Sequence, residues 1–248
     1  MSTRHITAPR GFGPLARRLA PLVRRGLSRE IAVSGFVADE ISPRPDVVLL
    51  NGVRPQPDQD GDRSPVVLMA HRLAPEKDTA TGLRAWAASG LGDRGWRLLV
   101  AGDGEERAEL EALAGTLGIA GSTTFAGWLA DPTEAFRSAS VLLAPAPAEP
   151  CGLSVLEAMA QGLPVVATAA GGFLETVGSA PDAAVFPVGD AESAGAQLRR
   201  LADDDAARAT YGAQLRELQR ACFTLAHHVD GLMRVYSDAL GTTRRSPV

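Results

Sequence analysis

Glu149-Pro150-Cys151-Gly152-Leu153-Ser154-Val155-Leu156-Glu157-Ala158-Met159-Ala160-Gln161-Gly162-Leu163-Pro164-Val165-Val166-Ala167 reads as loop, helix, turn and strand in succession. The apolar run Val141 to Ala146 comes before it and ends among Pro145, Pro147 and Pro150, so a buried strand feeds a rigid loop. Gly152 opens a helix with Leu153, Leu156 and Met159 on one face. Gly162 stops that helix, and Pro164 leads into the apolar run Val165 to Thr168. A helix that starts at the carboxyl end of a parallel strand presents unpaired N–H groups and the positive end of its dipole, which suits an anion. Two carboxylates flank this place, Glu149 before the helix and Glu157 inside it.

The same alternation extends in both directions. Strands are expected at Val66 to Ala70, Arg97 to Ala101, Ser122 to Ala126, Val141 to Ala146, Pro164 to Thr168 and Ala183 to Val188. Helices are expected between them, at Thr79 to Ala88, Glu105 to Leu117, Pro132 to Ser138 and Gly152 to Gln161. Strand and helix in strict turn predict an α/β fold with a doubly wound parallel sheet. Right-handed crossovers then gather every strand's carboxyl end, and any ligand, on one edge. Asp190 to Leu201, Asp204 to Gln219 and Ala226 to Leu240 predict three closing helices, the last with Val229, Leu232, Met233 and Tyr236 on one face.

The bulk properties exclude several classes. The chain has 248 residues, 45% hydrophobic and 22% charged, with net charge −4. That is long enough for a sizeable core, and the charge gives no reason to expect nucleic acid. Cys151 and Cys222 form no disulfide framework, and neither sits in a metal-ligand spacing. No run reaches membrane-spanning length and no hydrophobic signal segment is evident, so a cytoplasmic location is expected. The first thirty positions are basic. Arg17, Arg18, Arg24 and Arg25 stand among Leu15, Leu19, Leu22, Val23 and Leu27 in near-helical spacing, broken by Pro14 and Pro21. Such a piece packs on a neighbouring domain or lies on an anionic membrane surface, at the inner face of the membrane.

The stretch from Glu149 to Glu157 resembles the E-x7-E signature of retaining GT-B glycosyltransferases of family 4, and the match continues through Pro164-Val165-Val166-Ala167 to Gly171-Gly172 and Glu175. The resemblance implies the Rossmann-like C-terminal half of a GT-B enzyme. It implies transfer of a sugar from a UDP- or GDP-sugar donor, without a metal cofactor, to a lipid, saccharide or small-molecule acceptor. It also implies the roles. Glu149 holds donor sugar hydroxyls, the backbone at Cys151, Gly152 and Leu153 meets sugar and phosphate, and Glu157 holds the ribose diol. Ionised carboxylates accept only, as two neighbouring hydroxyl donors require.

His71-Arg72-Leu73-Ala74-Pro75-Glu76-Lys77-Asp78 resembles the family's G-R-L-x-x-x-K-G loop, which makes Arg72 and Lys77 the diphosphate grip. Fixed cations there stabilise the charge that grows as the anomeric bond breaks. Two residues depart from the family: His71 replaces a small Gly and crowds the phosphates, and Asp78 sets a carboxylate beside Lys77. Phe125-Ala126-Gly127-Trp128 resembles the strand end that reads the nucleotide base, with Ala126, Gly127 and Trp128 as donor contacts. Trp128 either meets the base or covers the core edge. Gly102-Asp103-Gly104 lacks the third glycine of a dinucleotide fingerprint, Arg107 standing in its place, which argues against an oxidoreductase. Asp203-Asp204-Asp205 sits at a helix start and is assigned to capping rather than metal.

Ile31 to Ser34, the helix Gly35 to Ile41 capped by Ser34, and Val47 to Val53 resemble the last strands of the family's N-terminal, acceptor-binding domain. The expected organisation is a remnant of that domain and a linker over 1–60, a nucleotide-sugar-binding domain over 61–220, and a crossover helix with tail over 221–248. On that basis the chain binds donor and needs a partner chain, or a longer form, to transfer sugar. The alternatives carried are a nucleotide-sugar-binding module and a GT-B epimerase or hydrolase.

Overall fold

The computed structural model describes residues 1–5, 27–58 and 63–241. The basic stretch around Leu15, Leu19, Leu22 and Val23, the middle of the polar segment 56–64 and the tail from 242 lie outside them.

The described residues form two parallel sheets. The smaller has the order β1-β2-β3, from Ser2–Arg4, Glu30–Ala32 and Val47–Val48. Helix α1, Gly35–Glu40, connects β2 to β3, and the Ser34 hydroxyl caps it by accepting from the Val37 N–H at 3.1 Å. Strand β1 was not anticipated: Ser2-Thr3-Arg4 is too short and polar to carry a period-2 signal, and its pairing to β2 is a tertiary event.

The larger sheet is built from β4, Val66–Ala70; β5, Arg97–Ala101; β6, Thr123–Gly127; β7, Val141–Ala144; β8, Val165–Thr168; and β9, Val185–Phe186. All its pairings are parallel, in the order β6-β5-β4-β7-β8-β9. The helices are α2, Thr79–Ser89; α3, Arg107–Thr116; α4, Thr133–Ser138; α5, Leu153–Ala160; α6, Ala191–Asp203; α7, Asp205–Cys222; and α8, Leu225–Ala239. Strands β4, β7 and β8 are nearly continuous apolar runs because helices cover both faces, and Leu68, Leu142, Leu143, Val165 and Val166 are fully buried. The doubly wound α/β expectation holds, with element ends moved by one to three residues. The last strand is shorter than its apolar run, since Pro187 and Gly189 turn the chain.

The strand order reverses between β4 and β7. The loops leaving their carboxyl ends diverge to opposite faces there and open a crevice. Residues far apart in sequence, 71–78 and 145–152, therefore face one another.

Helix α8 returns to the small sheet. Its Gly231 packs on Leu49, and the His228 imidazole Nδ1 lies 2.8 Å from the Leu50 carbonyl. Gly231 and Val235 are its buried residues, whereas Val229, Met233 and Tyr236, which share the apolar face with Leu232, are exposed. A glycine opposite Leu49 lets the backbones approach more closely than a larger side chain would. Among the described residues no helix is long and apolar enough to cross a membrane.

Candidate active site

The loop after β4 carries Arg72 and Lys77, and the loop after β7 carries Glu149. Lys77 Nζ donates to Glu149 Oε2 at 2.5 Å, a partly buried pair that joins residues 72 positions apart across the reversal point. The other oxygen of Glu149 accepts from the Gly152 N–H at 3.3 Å. Gly152 is the N-cap of α5 with φ of +78°, and a Cβ there would stand 2.6 Å from the Phe173 ring. Only glycine meets both conditions. The helix therefore begins at Leu153, one residue later than expected, and its first amides open toward the crevice.

Asp78 does not oppose Lys77. It adopts a left-handed conformation and caps α2, accepting from the Thr81 N–H at 3.2 Å. The carboxylate that neutralises Lys77 is Glu149 instead. Arg72 is exposed and pairs with Glu76 one turn on. His71 turns inward, its Nε2 3.1 Å from the Thr79 hydroxyl. Burial, and then the Lys77 charge, push its pKa down to about 4, so the ring is neutral near pH 7.

A cavity of about 430 Å³ lies beside this pair, lined by His71, Arg72, Asp103, Trp128, Ser154 and Glu157 among others. A second, of about 350 Å³, lies on the far side of Glu157 and shares Pro132, Phe136 and Glu157 with the first. Desolvation by these walls raises the Glu157 carboxyl above the usual range. Trp128 is 75% exposed at the mouth of the first cavity, so it does not cover the core edge. Gly127 turns the chain there with φ of +72°, and its carbonyl accepts from the Gly102 N–H at 2.8 Å. Ala126 precedes it on the outer strand of that edge.

The expected site residues thus form two adjacent groups. Arg72, Trp128 and Glu157 line the cavity, with Ala126 and Gly127 at its margin. Lys77, Glu149, Cys151, Gly152 and Leu153 form the neighbouring loop cluster. Cys151 is buried, and burial holds its thiol above the ordinary pKa despite hydrogen bonding with Asn51, which disfavours the thiolate. Asp204 caps α7 through the Ala207 N–H at 2.8 Å, and Asp203 pairs with Arg94, as the capping assignment requires.

Sequence reasoning missed Ser154, which follows from helical spacing once Glu157 is placed, and Arg63, described below. It matched Glu175 without assigning a role. Its two carboxylate oxygens accept from the Gly35 and Phe36 N–H groups, each at 2.8 Å, and join the Gly171-Gly172 loop to α1 of the small sheet.

The family described as glycosyl transferases group 1 matches residues 55–218. The chain is 33% identical over 188 residues to a 2-deoxystreptamine glucosyltransferase of Streptomyces kanamyceticus, covering 73% of this chain and 47% of that protein. It is 32% identical over 145 residues to the lipopolysaccharide core biosynthesis glycosyltransferase LpsE of Rhizobium meliloti, covering 58% of this chain and 42% of LpsE. The chain spans about half the length, or less, of these curated relatives. Among solved structures, Anabaena HepE in complex with UDP and glucose superposes with a TM-score of 0.84 at 22% identity, over 95% of this chain and 70% of that one. That likeness concerns the fold, which is that of GT-B glycosyltransferases.

Proposed function

The chain belongs to the glycosyl transferases group 1, and from that premise we propose that it binds a UDP- or GDP-sugar and takes part in sugar transfer with retention at the anomeric carbon. The observation that carries this reading is the Lys77–Glu149 pair at 2.5 Å beside the first turn of α5 and the Glu157 cavity. A diphosphate between the two loops takes the charge of Arg72 and Lys77 and the amides of Leu153 and Ser154. Lys77 is then shared, and Glu149 turns to the donor sugar's hydroxyls. Glu157 accepts from the ribose diol, and Trp128 offers a face to the base at the cavity mouth. As the anomeric bond breaks, negative charge grows on the leaving diphosphate, and in this reading two cations and a helix end meet it. Electrostatic stabilisation of this kind lowers the barrier and is supplied here by side chains, so donor binding needs no metal.

The second wall of the site belongs to acceptor recognition. The acceptor hydroxyl has to be held against the anomeric carbon, and holding it is worth several kcal/mol of the barrier, on the order of 7–11 where alignment is ideal. We place that task on a surface opposite the donor loops, contributed by a fuller N-terminal domain or a partner chain, with a saccharide, lipid or small molecule as acceptor.

The test is calorimetric titration of UDP and GDP without divalent metal. Arg72→Ala or Lys77→Ala removes a charge-assisted contact and weakens binding by about 1.5–3 kcal/mol, roughly ten- to a hundredfold. Equal affinity in the wild type and both variants would sink the assignment.

A further inference from the structure

We propose that Arg63 is a positioning residue for the donor site, holding helices α4 and α5 at the separation that places Glu157 against the nucleotide ribose. The proposal rests on the donor reading above. Arg63 stands just before β4, in a position that no motif marks. Its guanidinium Nη1 donates to the carbonyls of Phe136, Arg137 and Ala139 at 3.0, 3.0 and 2.8 Å, and its Nη2 donates to the Gln161 carbonyl at 2.7 Å. These carbonyls sit at the carboxyl ends of α4 and α5, which have no intrahelical partners and carry the negative ends of the helix dipoles. One planar cation therefore satisfies both ends at once.

The two helices so joined are the ones that wall the cavities. Phe136 comes from α4 and Glu157 from α5, and both cavities are lined by both residues. Gln161 is one turn beyond Glu157, and its N–H donates back to the Glu157 carbonyl at 3.2 Å. The grip of Arg63 on Gln161 is thus passed along one helical turn to the backbone that carries the ribose-binding carboxylate. Burial lowers the guanidinium pKa to about 10, so the cation persists at neutral pH. Lysine keeps the charge but offers no fork, and a single ammonium does not span the two helix ends.

The experiment titrates the full chain with UDP and, separately, with inorganic pyrophosphate. Pyrophosphate engages Arg72 and Lys77 but has no ribose. Arg63→Met and Arg63→Lys are expected to weaken UDP about tenfold, the scale of one misplaced charged hydrogen bond, while pyrophosphate affinity stays within about twofold. In a double-mutant cycle, Arg63→Met added to Glu157→Gln is expected to cost nothing further, because Arg63 acts through Glu157. Where Arg63→Met fails to melt cooperatively, Arg63→Lys carries the test. Wild type that binds UDP with both variants binding equally well overturns the proposal alone, as does an equal loss of UDP and pyrophosphate or an additive cycle. Wild type that binds neither probe overturns the donor reading, and this proposal with it.

Discussion

His71 departs from the family pattern, and the local packing decides what its ring does. Its ring is folded against Thr79 at 3.1 Å and lines the cavity as a neutral imidazole. The protonated form is disfavoured by burial and then by Lys77, with a folded pKa of about 4. The unfolded chain takes up this proton near the ordinary histidine value of about 6.5. Between those values the unfolded state binds more protons, so stability rises with pH across the window. The contribution is complete above about pH 6.5 and is lost as pH falls toward 4, by an amount on the order of 3 kcal/mol. Urea unfolding at pH 7 and pH 5 checks this. The difference between the two pH values should be smaller in His71→Gln than in wild type, and an identical difference would show that His71 titrates normally.

Two glycines in helices separate packing from propensity at the level of elements. Gly212 lies within α7 where it crosses the turn after α5, and a Cβ there would run into the Gly162 carbonyl oxygen. Gly162 is held in a left-handed conformation with its N–H bonded to Met159 at 2.9 Å, so neither side yields easily. Gly115 in α3 has nothing within 4 Å of the corresponding position. Propensity alone favours alanine by about 0.8–1 kcal/mol at either site. Gly115→Ala should therefore raise stability by somewhat less than 1 kcal/mol near its helix end. Gly212→Ala should lower it, since overpacking costs about 1–3 kcal/mol and exceeds the propensity gain. Chemical denaturation of the two variants decides, and stabilisation by Gly212→Ala would disprove the close crossing of α7 over α5.

At the scale of the molecule, the described residues of the small sheet carry too little apolar surface to stand alone. It is tied on by Glu175 at α1 and by the junction between Val53 and α8. The Val53 N–H donates to the Phe223 carbonyl and the Leu225 N–H donates to the Val53 carbonyl, both at 2.9 Å. Leu49 then packs against Gly231. Removing residues 225–248 should release β1–β3 while leaving the six-stranded sheet intact. Hydrogen exchange should then show lost protection across Glu30–Ala32 and Val47–Val48 with β4 and β7 unchanged. Retained protection in the small sheet would mean that α8 does not hold it.

The alternation of apolar runs with helical spacing, and the loop motifs at Arg72 to Lys77 and Glu149 to Glu157, were enough to determine a doubly wound sheet and the edge on which its loops gather. Those signals are local: burial on both faces demands continuous apolar strands, and a Gly-opened helix after a strand needs no distant partner to be recognised. The tertiary structure alone decided which charges meet. Lys77 faces Glu149 rather than Asp78 because the strand order brings β4 beside β7, and Asp78 is already engaged with the α2 backbone. Strand β1, the buried face of α8 and the reach of Arg63 to two helix ends were equally hidden. Each depends on backbone groups or packing partners far away in sequence, and backbone carbonyls leave no trace in residue type.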